Sequence, residues 1–316
     1  MSKIFKCIFS VSAAVLLALS AACGETGSGG GKIKVVCTVY PFYDWTVNIA
    51  GSSAEVDLIV SGGTDMHSYQ PSAEDVIKIA DCDLLIYGGG PSDAWVTEAV
   101  AQNENPGRTV INLLELLGSL AAEEEHTEGM QTDGHDHDEQ EEYDEHIWLS
   151  LKNASFLTGK IAEALSEKDG ENAGTYSSNS AEYKNKLDAL DNKYADMVSK
   201  SENKTLVFAD RFPFLYLTRD YGLSYYAAFP GCSAETEASF ETVMFLSGKI
   251  DELGLNYIMT TESPVAGIAE TVRDNTADKN AEILALDSMQ SLTAEDGQNY
   301  ISVMEKNLEV LEKALD

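Results

Sequence analysis

The stretch from Glu123 to Glu145 constrains this chain more than any other, because it cannot be buried. Between Glu123 and Leu149 stand twelve Asp or Glu residues and four of the five histidines, His126, His135, His137 and His146, with no Lys or Arg among them. Such a run repels itself and offers a core little apolar surface, so it lies open to water. The fold has to be assembled from what precedes and follows it. At His146-Ile147-Trp148-Leu149 the character changes, and packed structure is expected to resume there. Neutral imidazole is the commonest metal ligand, and a His-rich acidic tract is a compositional sign of metal affinity.

Before this stretch, apolar β-branched runs alternate with helical patterns. Lys32 to Tyr40, Glu55 to Gly63, Asp83 to Gly90 and Thr109 to Leu113 read as strands. Helices are expected after Pro41 up to Gly51, after a cap at Ser72, and from Pro91. After the stretch, His146 to Leu165 reads as mainly helical. In Ala181 to Lys200, Tyr183, Leu187, Leu190, Tyr194 and Met197 recur at spacings of four and three, the mark of a long amphipathic helix. From Thr205 the strand–helix alternation begins again, with strands at LVFAD, SYYAAF, NYIMTTE and AEILALDS and a closing helix carrying Ile301, Met304, Leu308, Leu311 and Leu315 on one face. The expected class is α/β: two small βα lobes with parallel sheets, joined by a long bridging helix. The lobes are expected at 32–150, with an acidic His-rich loop at 121–145, and at 204–316, with a helical segment at 151–203 between them. A chain of 316 residues, 44% hydrophobic, is long enough for two such cores.

The first 22 residues read as a leader. Lys3 and Lys6 precede an apolar run too short to span a membrane, and Leu19-Ser20-Ala21-Ala22-Cys23 resembles a bacterial lipobox, with Ser20 where the pattern has Leu. Cys23 is expected to carry the lipid, and residues 23–31 to form a flexible tether. The mature chain is then held at the outer face of a bacterial membrane through its lipid anchor alone. Losing Lys3 and Lys6 takes the formal charge from -32 to -34, which argues against nucleic acid or an anionic lipid surface as partner. Cys37, Cys82 and Cys232 remain, enough for one disulfide and a free thiol or for three free thiols.

His67, the one histidine outside the acidic stretch, lies in Thr64-Asp-Met-His-Ser-Tyr-Gln-Pro71, between a strand and a capped helix. Ligands of open α/β sheets bind at such carboxyl ends of strands. His146 enters the packed structure, Asp210 and Asp287 end strands of the second half, and Glu262 ends another. Strand-end carboxylates are often helix caps, so each alone says little. Two imidazoles from the first lobe and carboxylates from the second would converge in an interlobe cleft as a nitrogen–oxygen shell suited to zinc, with manganese second as the carboxylate share rises. Glu235 and Glu237 read as structural or rim charges, and Cys232 as a minor soft donor near the same region.

Met66-His67-Ser68-Tyr69-Gln70-Pro71 and Asp144-Glu145-His146-Ile147-Trp148-Leu149 resemble the paired histidine motifs of the solute-binding lipoproteins of zinc and manganese ABC importers, of the ZnuA and TroA type. Trp95 and Leu286-Asp287-Ser288 also resemble positions of that family, and its zinc-specific branch carries an acidic His-rich loop before the second histidine. The resemblance covers nearly the whole mature chain. It implies a metal site of His67, His146, a third ligand at the end of the second lobe's first strand, and Asp287. Where the family usually has a third histidine, this chain has none after His146, and Asp210 is the expected replacement, with Glu262 as runner-up. The implied function is capture of zinc, or manganese, outside the cell and delivery to a membrane permease, by a non-enzymatic monomer. Two other functions compete with this one. A secreted zinc hydrolase lacks support, since neither His-Glu-x-x-His nor Gly-x-Ser-x-Gly occurs. A surface adhesin using the same fold is compatible with the anchor.

Overall fold

A computed structural model describes residues 31–61, 63–131, 143–233, 235, 237–294 and 297–316. The leader, Cys23 and two histidines of the acidic stretch, His135 and His137, lie outside the described residues.

The apolar run at the start of the first lobe forms β1 (Ile33–Cys37), buried from Val35 onward. A strand that is apolar on both faces suits the centre of a parallel sheet covered by helices on each side. The chain continues through α1 (Tyr40–Ala50), β2 (Ala54–Leu58), α2 (Ala73–Asp81), β3 (Leu84–Tyr87), α3 (Ala94–Gln102), β4 (Thr109–Asn112) and α4 (Leu113–Leu117). The strands lie in the order β2-β1-β3-β4, all parallel. Parallel neighbours need crossover connections, and the helices supply them. The cap read at Ser72 is a full capping box: Ser72 Oγ accepts from the Asp75 backbone N–H, and the Asp75 carboxylate accepts from that of Ser72.

The middle of the chain is the hairpin of α5 (Leu151–Lys168) and α6 (Ala173–Lys200). All five apolar positions expected on one face of the long helix are buried. That helix starts at Ala173 rather than Ala181, because its polar first turns also find partners. Tyr176 is buried and its hydroxyl donates to Asp169 at 2.7 Å, and buried Ser180 donates to the Thr158 carbonyl of α5. Packing overrides the weak propensity of a Gly-, Ser- and Asn-rich segment here.

The second lobe repeats the plan with β5 (Thr205–Phe212), α7 (Leu215–Tyr221), β6 (Ser224–Pro230), α8 (Phe240–Leu253), β7 (Tyr257–Thr261), α9 (Ile268–Asn275), β8 (Glu282–Leu286) and α10 (Tyr300–Leu315), in the parallel order β6-β5-β7-β8. Each first strand therefore lies between the second and third of its own sheet. β5 runs past Asp210 to Phe212, with a register shift between Phe208 and Arg211. Phe212 stacks on Tyr225 at 3.6 Å between ring centroids, which holds Arg211 and Phe212, two residues beyond the expected strand LVFAD, in the sheet.

One apolar core runs through both lobes, joining Val35 and Phe42 to Phe208, Leu286 and Tyr300. A second, smaller core covers the far face of the second sheet, around Val207, Leu246 and Val272. Polar bonds cross between the halves at the shared core. The Trp148 indole N–H donates to the Ser288 carbonyl at 2.8 Å, the Tyr300 hydroxyl to the Trp148 carbonyl at 2.6 Å, and Trp45 meets Tyr300 edge-on at 5.3 Å. The lobes are thus joined by packing as well as by the long helix.

Candidate metal centre

His67 sits in a single 3-10 turn, Met66–Ser68, after β2. Asp65 caps that turn by accepting the His67 backbone N–H at 3.0 Å, and Tyr69 ties it to the next helix by donating its hydroxyl to Asp75 at 2.7 Å. The imidazole Nδ1 lies 2.7 Å from Ser92 Oγ and 3.1 Å from Glu145 Oε1, which leaves Nε2 to point into the site. Ser92 lies in the turn Pro91–Asp93, just past the Gly88-Gly89-Gly90 end of β3. These groups accordingly share the carboxyl-end side of the first sheet, where such sheets bind ligands.

His146 closes the acidic stretch and is fully buried. Asp144 holds it twice, accepting its backbone N–H at 2.8 Å and lying 3.2 Å from Nδ1. The buried turn Ile147–Leu149 follows, and the Trp148 ring packs edge-on against the imidazole at 5.4 Å. A carboxylate on Nδ1 fixes the tautomer that leaves Nε2 free for a metal. The two Nε2 atoms stand 3.3 Å apart. Tetrahedral zinc with bonds of about 2.0–2.1 Å would hold its nitrogens about 3.3–3.4 Å apart, so this pair has the spacing of one edge of such a shell.

Two further groups close on the pair. Glu145 is buried, and its carboxylate accepts the Ser92 backbone N–H at 2.9 Å and the Ser92 hydroxyl at 2.5 Å. Cys232, just beyond β6, donates its thiol to Glu145 Oε1 at 3.3 Å. Donor atoms of His67, Glu145, His146 and Cys232 all lie within 4.8 Å of one another. Glycines make the room. A Cβ on Gly90 would come within 2.2 Å of the Glu145 side chain, and one on Gly231 would stand 2.8 Å from His146 Cε1 and 3.0 Å from the Phe212 carbonyl.

The electrostatics follow from this crowding. Burial alone would raise the Glu145 carboxyl, but the His67 hydrogen bond, the two imidazoles and Ser92 outweigh it and bring its pKa down to about 2. Burial works to lower His146, yet Asp144, aided by Glu145 and Glu124, leaves it above the ordinary histidine value. Burial pushes the Cys232 thiol well up, and Glu145, Asp144 and Glu124 push it further.

Of His67, His146, Asp210 and Asp287, the four residues expected to form a shell, the structure brings the two histidines together. The Asp210 carboxylate is fully buried beneath the loop after β7, where it accepts from the Thr261 backbone N–H at 2.8 Å, the Thr261 hydroxyl at 2.7 Å and the Val265 backbone N–H at 3.3 Å. It is a loop cap and does not join the cluster. Asp287 accepts from the Met289 backbone N–H at 2.8 Å, and Glu262 accepts from the backbone and hydroxyl of Ser288; neither stands in the cluster. Arg211, next to Asp210, instead reaches the first lobe and pairs with Asp65 at 2.9 Å. Against the expectation that the whole acidic stretch lies open to water, Asp144 and Glu145 are buried, because the imidazoles and Ser92 give them partners; Glu145 was hidden as one more acid in that run. Cys232 had a readable signal in Pro230-Gly231-Cys232, a donor directly after a strand end. Cys37, Cys82 and Cys232 are all free thiols.

Two like lobes of parallel strands around a shared core, with metal-type donors at their strand ends, define a two-lobed metal-binding protein of the solute-binding class. The family model described as "Zinc-uptake complex component A periplasmic" matches residues 35–314, and the chain belongs to that family. It is 34% identical to the zinc-binding lipoprotein AdcA of Streptococcus pneumoniae, across 100% of this chain and 62% of that protein. The chain thus spans under two thirds of the length of that relative. It is 29% identical to the high-affinity zinc uptake system protein ZnuA of Bacillus subtilis, across 100% of this chain and 99% of that protein. Among solved structures, the Zn(II)-bound ZnuA-like domain of S. pneumoniae AdcA superposes with a TM-score of 0.70 at 31% identity, covering 90% of this chain and 100% of that one.

Proposed function

We propose that this protein is the extracellular capture component of a zinc importer. It binds one zinc ion between its lobes through His67 and His146 and hands it to the permease of an ABC transporter. A lipid on Cys23 holds it at the outer face of the membrane, and residues 24–31 give it reach. It acts as a carrier, without catalysis of its own. The observation that carries this reading is the 3.3 Å separation of two imidazole Nε2 atoms, each with its Nδ1 anchored elsewhere. With Nδ1 protonated and anchored on both rings, two Nε2 lone pairs at that distance have the spacing of two nitrogens on one tetrahedral zinc. Membership of a zinc-uptake family and likeness to zinc-binding relatives support zinc over manganese.

Metal analysis of the purified protein tests the assignment. The wild type is expected to carry one zinc per chain, and the double substitution His67→Ala, His146→Ala to carry none. A double variant that keeps its metal would place the ion elsewhere.

A further inference from the structure

Cys232 is half-buried beside the two histidines, chemically apt as a ligand, and unused by a site of two imidazoles. We propose that the Cys232 thiolate joins them as a third protein ligand, with Glu145 holding His67 from behind, so that the site takes thiophilic divalent ions, zinc and cobalt among them, through two nitrogens and one sulfur. This shell presupposes that His67 and His146 hold the ion.

Position supports it first. Donor atoms of Cys232 and of both histidines lie within 4.8 Å of one another, close enough for one ion to draw them together, while the strand-end acids Asp210 and Asp287 are engaged elsewhere. Construction supports it next. Two unrelated turns lack side chains at the two places where a Cβ would collide with this cluster, Gly90 against Glu145 and Gly231 against His146. Gly231 in particular lets the strand end deliver Cys232 against the imidazole. Charge supports it as well. A divalent ion and one thiolate leave a single positive charge on the two imidazoles, which the buried carboxylates of Glu145 and Asp144 behind them offset. Arg211, the nearby cation on β5, is already neutralised by Asp65.

On loading, the Cys232 S–H bond breaks, the sulfur keeps the electron pair and gives it to the metal, and the proton leaves to water. Nothing is oxidised or reduced. The Glu145 carboxylate gives up the thiol hydrogen bond and stays on Ser92 and His67 Nδ1, holding the ligating imidazole from behind. A sulfur donor also sets selectivity, since thiolate favours zinc and cobalt over manganese, which prefers oxygen.

Cobalt(II) substitution reads the thiolate directly. The wild-type protein loaded with one cobalt is expected to show a thiolate-to-cobalt charge-transfer band in the near ultraviolet. Cys232→Ser should lose that band while keeping visible cobalt absorption, and Cys232→Ser and Glu145→Gln should each weaken zinc binding by at least about 10–100-fold, the scale of losing even a supporting group of a metal site. A cobalt-loaded wild type without the band overturns the proposal, and so does Cys232→Ser with wild-type zinc affinity. The wild-type spectrum decides even if a variant fails to fold. Failure of the underlying zinc reading looks different: no metal on the wild type, or metal retained by the histidine double variant.

Discussion

At the residue scale, the two histidines are held by acids, and this sets how the site responds to pH. His146 sits above the ordinary histidine value despite its burial, because Asp144 and its neighbours favour the protonated ring. Proton and metal compete for that imidazole, so a raised value means the proton wins sooner as pH falls. Zinc affinity is expected to start falling above the free imidazole value of about 6.5 and to drop steeply below it. Asp144→Asn removes the leading group that raises His146 and should move the fall to lower pH. Calorimetric zinc titrations at several pH values check this, and affinity unchanged down to about pH 5 would contradict it. The histidines were legible because each stands in a distinctive turn beside a strand end. Asp210 misled because a strand-end acid looks the same locally whether it faces a cleft or caps a neighbouring loop. Its partners, Thr261 and Val265, are far along the chain and leave no mark near position 210.

At the element scale, the described residues of the acidic stretch are anchored at both of its ends. Glu123 pairs with Tyr143 as an antiparallel bridge that closes the base of the loop. Glu125 is bound by Arg219 and Tyr225, and the Gln131 backbone N–H donates to the Ala228 carbonyl. The stretch Glu123 to Glu145 is expected to gather metal weakly for the tight site; its residues 132–142, with His135 and His137, lie outside the described residues. Deleting them should leave the fold and the tight zinc site intact while removing weak extra binding. Closing a shorter loop over the same base changes stability little, since each halving of loop length is worth only about 0.6 kcal/mol. Zinc titration and thermal melting of the deletion variant check this, and loss of the tight site would refute it. Strand and helix positions were largely readable from periodicity. The start of the long helix and the end of β5 were not, because Tyr176 and Phe212 are held there by contacts with α5's end and β6 that no local pattern encodes.

At the scale of the whole molecule, the continuous core limits what loading can do. Trp45, Trp148 and Tyr300 interlock across the halves, and α5 and α6 brace the first lobe. Opening the lobes wide would expose this core to water, so loading is expected to shift them slightly rather than swing them about a hinge. Small-angle scattering of the metal-free and zinc-loaded protein should give radii of gyration within about 1 Å, the scale of pre-organised binding. A larger compaction on loading would show that the lobes part when empty. The two parallel sheets could be read from strand–helix alternation. The shared core could not, because Trp45 and Tyr300 meet across nearly the whole chain, and alternation says nothing about what two sheets do to each other.

The gathered donors are divided unequally, with His67, Glu145 and His146 on the first lobe and Cys232 alone on the second. An ion seated on the histidines and the thiolate would be discharged in an order. The second lobe lets go by giving up one bond, and the ion then stays on the two histidines of the first lobe with a coordination position vacated. An incoming ligand takes that position before the histidines release, so the ion passes on without a fully hydrated stage. The unequal split thus sets the order of unloading, and a single sulfur sets its first step.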